Sequence, residues 1–138
     1  MIYSLNVSDD FELKDIFECG QCFRWNLEND GTYTGVIHNL VLNVNKQGSK
    51  IIFKSNCNNK KELEKVINDY FDLDRNYKAE RNKLAKIDQY LKEATKYGKG
   101  IRILNQDLWE TIISFIISAN NNIPRIKKII EELSKRYG

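Results

Sequence analysis

Turn-forming residues divide the first half of the chain into short β-prone runs. The runs are CFRWNLE, TYTGVIHN, LVLNVNK and KIIFKSN, which begin at residues 22, 32, 40 and 50. Asp30-Gly31 and Gln47-Gly48 provide the positive-φ residues that tight hairpins need. This spacing predicts a twisted antiparallel β-sheet that is built as a meander and has one face turned inward.

The residues that follow the last run change to helical spacing. One helix stripe over residues 59–71 is apolar and could cover the inward face of the sheet: Leu63, Val66, Ile67, Tyr70 and Phe71. Helical spacing resumes over about residues 78–97, and Gly98 and Gly100 stop that helix. The predicted fold class is therefore α+β, with an α+β domain at residues 1–75 and an all-helical segment at residues 76–138.

Two more helices are predicted near the end of the chain. Asp107, with Glu110 three residues later, has the spacing of a capping box. The run WETIISFIISA that follows is apolar nearly all round, so we expect a central helix that is buried on most sides. Asn120, Asn121 and Asn122 end it, and Pro124 suits the first turn of a last helix, whose apolar stripe is Ile126, Ile129, Ile130, Leu133 and Tyr137.

The positive charge is concentrated in the middle of the chain. The net charge is −4 over residues 1–74, +6 over residues 75–102 and +1 over the remainder. A basic block can attract a polyanion, but on charge alone a solvated helix face is the favoured interpretation. No apolar run approaches the length of a membrane span, and the N-terminus has no basic segment followed by a long apolar one. We therefore expect a soluble, intracellular protein.

Two cysteines two residues apart raise the question of metal or redox chemistry. Cys19 and Cys22, with Cys57 and His38, could form a Cys₃His zinc site, but no second closely spaced pair is present. A redox dithiol needs a helix after the pair, whereas the downstream residues suggest a strand. The favoured interpretation is that Cys19 and Cys22 are small buried hydrophobic residues. His38 is expected in a turn or on the surface.

The junction Asn120-Asn121-Asn122-Ile123-Pro124-Arg125 has two interpretations. Asparagine is common at helix ends, so the residues could form a capped turn between two helices. Three amides and a guanidinium could equally recognise a planar hydrogen-bonding edge, such as that of a nucleobase. Composition alone does not decide between them.

Three motifs, in their order and spacing, resemble the 8-oxoguanine DNA glycosylases of base-excision repair. They are GQCFRW, FDLD and GIRILNQDLWETIISFIISANNNIPRI. The resemblance implies that the main-chain carbonyl of Gly20 accepts the N7 proton of 8-oxoguanine. It also implies that Asn120 and Arg125 hold the cytosine left behind when the lesion is flipped out. In this family the two cysteines are neither a zinc half-site nor a redox pair.

The resemblance also sets the expected partners. The partner is double-stranded DNA with 8-oxoguanine opposite cytosine, bound by a monomer in the cytoplasm, nucleoid or nucleus. No cofactor and no metal are expected. The helix that bears Arg125 also carries Lys127 and Lys128, which we expect to face the DNA backbone.

The chain departs from the family pattern where the family keeps its catalytic residues. These lie in a later helix-hairpin-helix with a Gly-rich turn, a nucleophilic lysine and an aspartate, yet no glycine occurs between Gly100 and Gly138. We therefore expect no catalytic residue in this chain, which would hold the N-terminal domain and the first helices of the catalytic one. The family proline in Q-D-P-W is Leu108 here. The alternatives are a non-catalytic module that binds damaged DNA and a zinc-stabilised interaction domain.

Overall fold

The computed structural model describes residues 1–7 and 10–137. Five antiparallel strands form one sheet in the order β1-β5-β4-β3-β2. The strands are β1 (Ile2–Asn6), β2 (Trp25–Leu27), β3 (Tyr33–Ile37), β4 (Leu40–Gln47) and β5 (Lys50–Ser55). The helices are α1 (Leu13–Phe17), α2 (Lys60–Tyr70), α3 (Tyr77–Leu84), α4 (Gln89–Tyr97), α5 (Leu108–Ser118) and α6 (Ile123–Tyr137). The predicted α+β class and the meander of β2 to β5 are confirmed.

The turns of the meander lie where the sequence predicts them. Gly31 has φ +80° and Gly48 has φ +61°, so both adopt the left-handed conformation that favours glycine. His38, with φ 48°, is exposed in the turn between β3 and β4, as expected. Strand β1 and helix α1 were not predicted, because neither is bordered by a turn dipeptide and α1 has only five residues.

The inward face of the sheet is packed against α1 and α2. Trp25 is 1% exposed, stacks on Phe17 with ring centroids 4.1 Å apart, and donates from Nε1 to the Tyr70 hydroxyl at 2.9 Å. Gly35 lies opposite Trp25 in the register, and a Cβ there would be 2.4 Å from the indole ring. The indole therefore occupies space that only glycine leaves open. The predicted α2 stripe does cover the sheet, with Leu63, Ile67, Tyr70 and Phe71 buried.

The expectation of one helix over residues 78–97 is wrong. The chain leaves the helical conformation after Leu84 and starts α4 at Gln89. Asp88 is the reason, since its side chain accepts a hydrogen bond from the Leu91 backbone N–H at 2.7 Å and so caps a new helix. Helical spacing alone does not reveal such an internal cap.

The expectation that α5 is buried on most sides is also wrong. Ser114 is its one buried residue, while Trp109 is 71% exposed and Phe115 is 77% exposed. The solvent-facing side carries Leu108, Trp109, Ile112, Phe115 and Ile116, whereas the packed side carries Glu110, Ile113, Ser114, Ile117 and Ser118. Within the described residues α5 packs chiefly on α6, so its more apolar side has no cover. No helix among these residues is long and apolar enough to cross a membrane.

Candidate functional site

Gly20 lies at the turn between α1 and the sheet, in a backbone conformation that favours glycine. Its φ is +87°, and a Cβ added there would lie 3.7 Å from Cδ1 of Ile123. Ile123 is the first residue of α6 and follows the asparagine cluster directly. The structure therefore brings together two predicted recognition elements that lie about 100 residues apart in the chain.

Gln21 connects this turn to the segment that leads into α5. Its Nε2 donates to the Ile16 carbonyl at 2.9 Å and to the Arg102 carbonyl at 2.8 Å. Its Oε1 accepts from the Leu104 backbone N–H at 3.0 Å, and its own carbonyl accepts from the side chain of Gln106. Both ends of the amide and the main chain are thus used, which fixes the backbone next to Gly20. Sequence reasoning assigned no role to Gln21, although it stands inside the quoted motif.

Arg24 and Trp25 join the same motif to the last two helices. Nη1 of Arg24 lies 3.3 Å from Oε2 of Glu110 on α5, and Nζ of Lys127 on α6 donates to the Trp25 carbonyl at 2.7 Å. The predicted capping box is half formed, because Asp107 accepts from the Glu110 N–H at 2.9 Å while the Glu110 side chain turns to Arg24. The two residues in each of these contacts lie far apart in the sequence, so no local pattern predicts them.

The cysteines are placed separately. Cys22 is buried, with its thiol directed to the Phe17 carbonyl, and burial raises the pKa of this thiol to about 12. Cys57 is buried against the Asn59 carbonyl, and Cys19 is exposed. Burial is therefore as predicted for Cys22 but wrong for Cys19, which precedes the turn at Gly20. Among residues 1–7 and 10–137, no group of His, Cys, Asp and Glu is arranged to hold a metal ion.

The three asparagines at the end of α5 have different surroundings. Asn121 Nδ2 donates to the Ile117 carbonyl at 3.0 Å, and Asn122 Oδ1 accepts from the Arg125 backbone N–H at 3.1 Å. These two side chains cap the helix ends. Asn120 is exposed with φ 50°, and its side chain has no hydrogen-bond partner among the described residues. Both interpretations of the junction therefore have residues to support them.

The basic residues near the junction also differ. The Arg125 and Lys128 side chains are exposed on α6 and have no ion pair within the described part of the chain. Lys127 is half-buried, and its amine is taken up by the Trp25 carbonyl. Arg125 and Lys128, three residues apart, thus present free cations on one side of α6.

Part of the basic block at residues 75–102 is used inside the protein. Arg81 pairs with buried Asp10 at 2.8 Å, and Arg102 is buried, donating to the Asp72 carbonyl at 2.8 Å. Arg102 also lies 4.5 Å from the centroid of the Tyr77 ring, and desolvation lowers its pKa. Exposed lysines without an ion pair to a described residue remain at Lys78, Lys86, Lys92 and Lys96. The block is therefore a mixture of structural and solvent-facing charge.

The fold is thus a five-stranded antiparallel sheet covered by α1 and α2, with the turn at Gly20 close to the polar junction of α5 and α6. The chain belongs to the family of the 8-oxoguanine DNA glycosylase N-terminal domain, whose model matches residues 4–112.

Solved structures and a curated protein support this assignment. MBOgg1 in complex with a low-affinity DNA ligand is 50% identical with a TM-score of 0.91, over 99% of this chain and 46% of that one. The Clostridium acetobutylicum 8-oxoguanine glycosylase/lyase, in complex with double-stranded DNA containing cytosine opposite 8-oxoG, is 44% identical with a TM-score of 0.88, over 100% and 49%. The Saccharomyces cerevisiae N-glycosylase/DNA lyase is 31% identical over 91% of this chain and 36% of its own length.

The chain thus spans about half the length of the two solved relatives and about a third of the yeast protein. The residues that these relatives have in addition lie outside the matched region.

Proposed function

We propose that this chain carries the lesion-recognition and opposite-base-recognition part of an 8-oxoguanine DNA glycosylase/AP lyase that acts in base-excision repair. The observation that carries the proposal is the proximity of Gly20 to Ile123, whose Cδ1 would lie 3.7 Å from a Cβ added at Gly20, so that the turn at Gly20 is close to the polar helix junction. The family membership and the DNA-bound relatives support the same function.

Gly20 is proposed to select the lesion through its main-chain carbonyl. A carbonyl oxygen accepts from the N7–H of 8-oxoguanine but meets a lone pair at N7 of guanine. A mismatched buried polar contact of this kind costs about 1–3 kcal/mol. The hydrogen bonds of Gln21 hold the neighbouring backbone, so the carbonyl cannot turn away at low cost.

Asn120 and Arg125 are proposed to hold the cytosine that loses its partner. An unpaired cytosine presents two acceptors and one exocyclic amine, and an amide with a guanidinium can satisfy both kinds of group. These two side chains are free of partners among the described residues, whereas Asn121 and Asn122 are engaged as caps. Lys128 is proposed to contact the DNA backbone, together with the exposed lysines of α3 and α4.

The catalytic residues are proposed to lie outside residues 1–138, in the part that the longer relatives have in addition. Residues 76–138 would then be the first helices of the catalytic domain. The uncovered apolar side of α5 supports this division, because five apolar side chains in one stripe are suited to packing against further helices. Since the proposed partner is DNA, we place the protein in the cytoplasm, nucleoid or nucleus.

Equilibrium DNA binding over a salt series tests the proposal. We expect the chain to bind a duplex with 8-oxoguanine opposite cytosine weakly, and less tightly as salt rises, with a log–log slope of about −0.9 for each phosphate neutralised. The duplex with adenine opposite the lesion is the control and should bind less well. Equal affinity for both duplexes, or affinity unchanged by salt, would contradict the proposed function.

A further inference from the structure

Lys127 and Lys128 are adjacent and carry the same charge, but their amines are in different positions. Lys128 is exposed on the same side of α6 as Arg125. Lys127 is half-buried on the sheet side, where its Nζ donates to the Trp25 carbonyl at 2.7 Å across 102 residues of chain. The amine of Lys127 thus uses one of its donors within the protein and is less accessible to a phosphate than that of Lys128.

The acceptor belongs to a fixed part of the sheet. Trp25 is the first residue of β2, which is an edge strand that pairs with β3. Its indole is anchored by the stack on Phe17 and by the hydrogen bond to Tyr70. Trp25 also lies five residues after Gly20, on the same short stretch of backbone. A hydrogen bond to this carbonyl therefore fixes the position of α6 relative to the turn at Gly20.

The interface between α6 and the sheet is open at its edge. A surface pocket of about 280 Å³ there is lined by polar as well as apolar side chains, among them Phe23, Asn26, Val36, Lys127, Ile130 and Ser134. Ile126 and Ile130 are buried, but apolar contact is not directional and does not by itself fix the orientation of a helix. A directed, charge-assisted hydrogen bond near the first turns of α6 adds that constraint.

We propose that Lys127 is a positioning residue, which holds the first turns of α6, and with them Arg125 and the asparagine junction, in register with Gly20. It does not act as a contact to the DNA backbone. This inference rests on the proposed function, because the register it maintains is that between the lesion-facing turn and the cytosine-facing junction.

A salt series on two matched variants separates positioning from phosphate contact. Lys128→Met should make the log–log slope shallower by about 0.9, since one neutralised phosphate is lost. Lys127→Met should keep the wild-type slope and bind the 8-oxoguanine·cytosine duplex about tenfold more weakly at every salt concentration, which is the loss of one hydrogen bond to a charged group. Lys127→Arg keeps a charged donor and should recover most of the affinity.

Hydrogen exchange without DNA provides a readout that does not depend on the proposed function. In Lys127→Met the backbone amides at the start of α6 should exchange faster, while those of β4 and β5 keep their protection. Should Lys127→Met not fold, Lys127→Gln, which retains a neutral donor, takes its place. The inference is overturned if the Lys127 variant has the shallower slope of Lys128→Met, or if it matches the wild type in both affinity and exchange. Absence of DNA binding by a wild-type chain with the expected exchange pattern would count against the proposed function alone.

Discussion

The three adjacent asparagines at the end of α5 allow recognition and helix capping to be measured separately. We predict that Asn122→Ala lowers the free energy of unfolding by about 1 kcal/mol, because it removes the cap of α6. Asn120 makes no side-chain hydrogen bond to a described residue, but its φ of 50° disfavours alanine, so Asn120→Gly is the variant that should leave stability nearly unchanged. In a chain completed with a catalytic segment, Asn120→Ala and Arg125→Ala should instead weaken the preference for cytosine opposite the lesion by about 1–3 kcal/mol.

Urea midpoints and opposite-base selectivity, measured on the same variants, test this division. If Asn120→Gly lowered the midpoint and kept wild-type selectivity, the cluster would serve only to end one helix and begin the next.

The buried thiol of Cys22 predicts a loss of stability at alkaline pH. Burial raises its folded-state pKa to about 12, above the value of about 8.5 of an unfolded cysteine. The stabilisation is therefore fully present below about pH 8.5 and is lost as the pH rises towards 12, by at most about 1.4 kcal/mol per pH unit. Burial also raises the pKa of Tyr33 and Tyr70, which adds to the loss at the upper end.

Urea unfolding between about pH 8 and 11, under reducing conditions, measures this dependence. Cys22→Ala should give a shallower decline than the wild type. A Cys22→Ala variant with the wild-type pH dependence would show that the Cys22 thiol is not the group responsible.

At the scale of elements, α5 has its more apolar side in solvent. We predict that Phe115→Ser changes the urea midpoint of this chain little, because 77% of the side chain is already exposed. Ile126→Ala, on the buried side of α6, should cost about 2–4 kcal/mol. The binding of a hydrophobic dye should fall in Phe115→Ser, since one exposed aromatic ring is lost from the stripe.

Equal destabilisation by Phe115→Ser and Ile126→Ala would mean that the apolar side of α5 is packed in solution. The proposed division between residues 76–138 and a further set of helices would then lose its main structural support.

The sequence contains enough information for the elements that have local signals. Glycine turns located the meander, and apolar spacing located α2, because both depend on residues within one or two turns of chain. The break at Asp88 could not be predicted in the same way, because an aspartate within a helical pattern can lie either inside a helix or at its N-cap. The exposure of α5 could not be predicted from its own residues. An apolar pattern shows that a helix is suited to burial, but it does not show which other residues would pack on it.

The residues of the candidate site could be predicted from the sequence, but the contacts that hold them in place could not. Gly20, Asn120 and Arg125 were named from motifs, and their roles remain proposals. The contacts of Gln21, Arg24 and Lys127 join positions 81 to 102 residues apart. Such pairs leave no periodic pattern, so one sequence could not identify them. The same holds for the basic block at residues 75–102, because its sequence does not show that Arg81 and Arg102 turn towards the protein interior.

At the scale of the whole molecule, we predict that the isolated chain has no base-excision activity. Schiff-base formation needs an activated amine such as a lysine, and the catalytic residues are proposed to lie outside residues 1–138. Incubation with an 8-oxoguanine·cytosine duplex and borohydride should therefore give no trapped covalent adduct. An adduct on a denaturing gel would show that a lysine of this chain acts as the nucleophile, with the exposed lysines of α3 and α4 the first to be substituted.

The central claim, that this chain selects the lesion and the opposite cytosine, is tested most directly in a chimera. Residues 1–138 would replace the matching half of the Clostridium acetobutylicum enzyme, with which they share 44% identity and a TM-score of 0.88. The measurement is the rate of 8-oxoguanine release from duplexes with cytosine or adenine opposite the lesion, for the chimera and its Asn120→Ala variant. We predict faster release opposite cytosine, by about tenfold or more, and loss of most of that preference in Asn120→Ala. A folded, active chimera that releases the base equally from both duplexes would contradict the account.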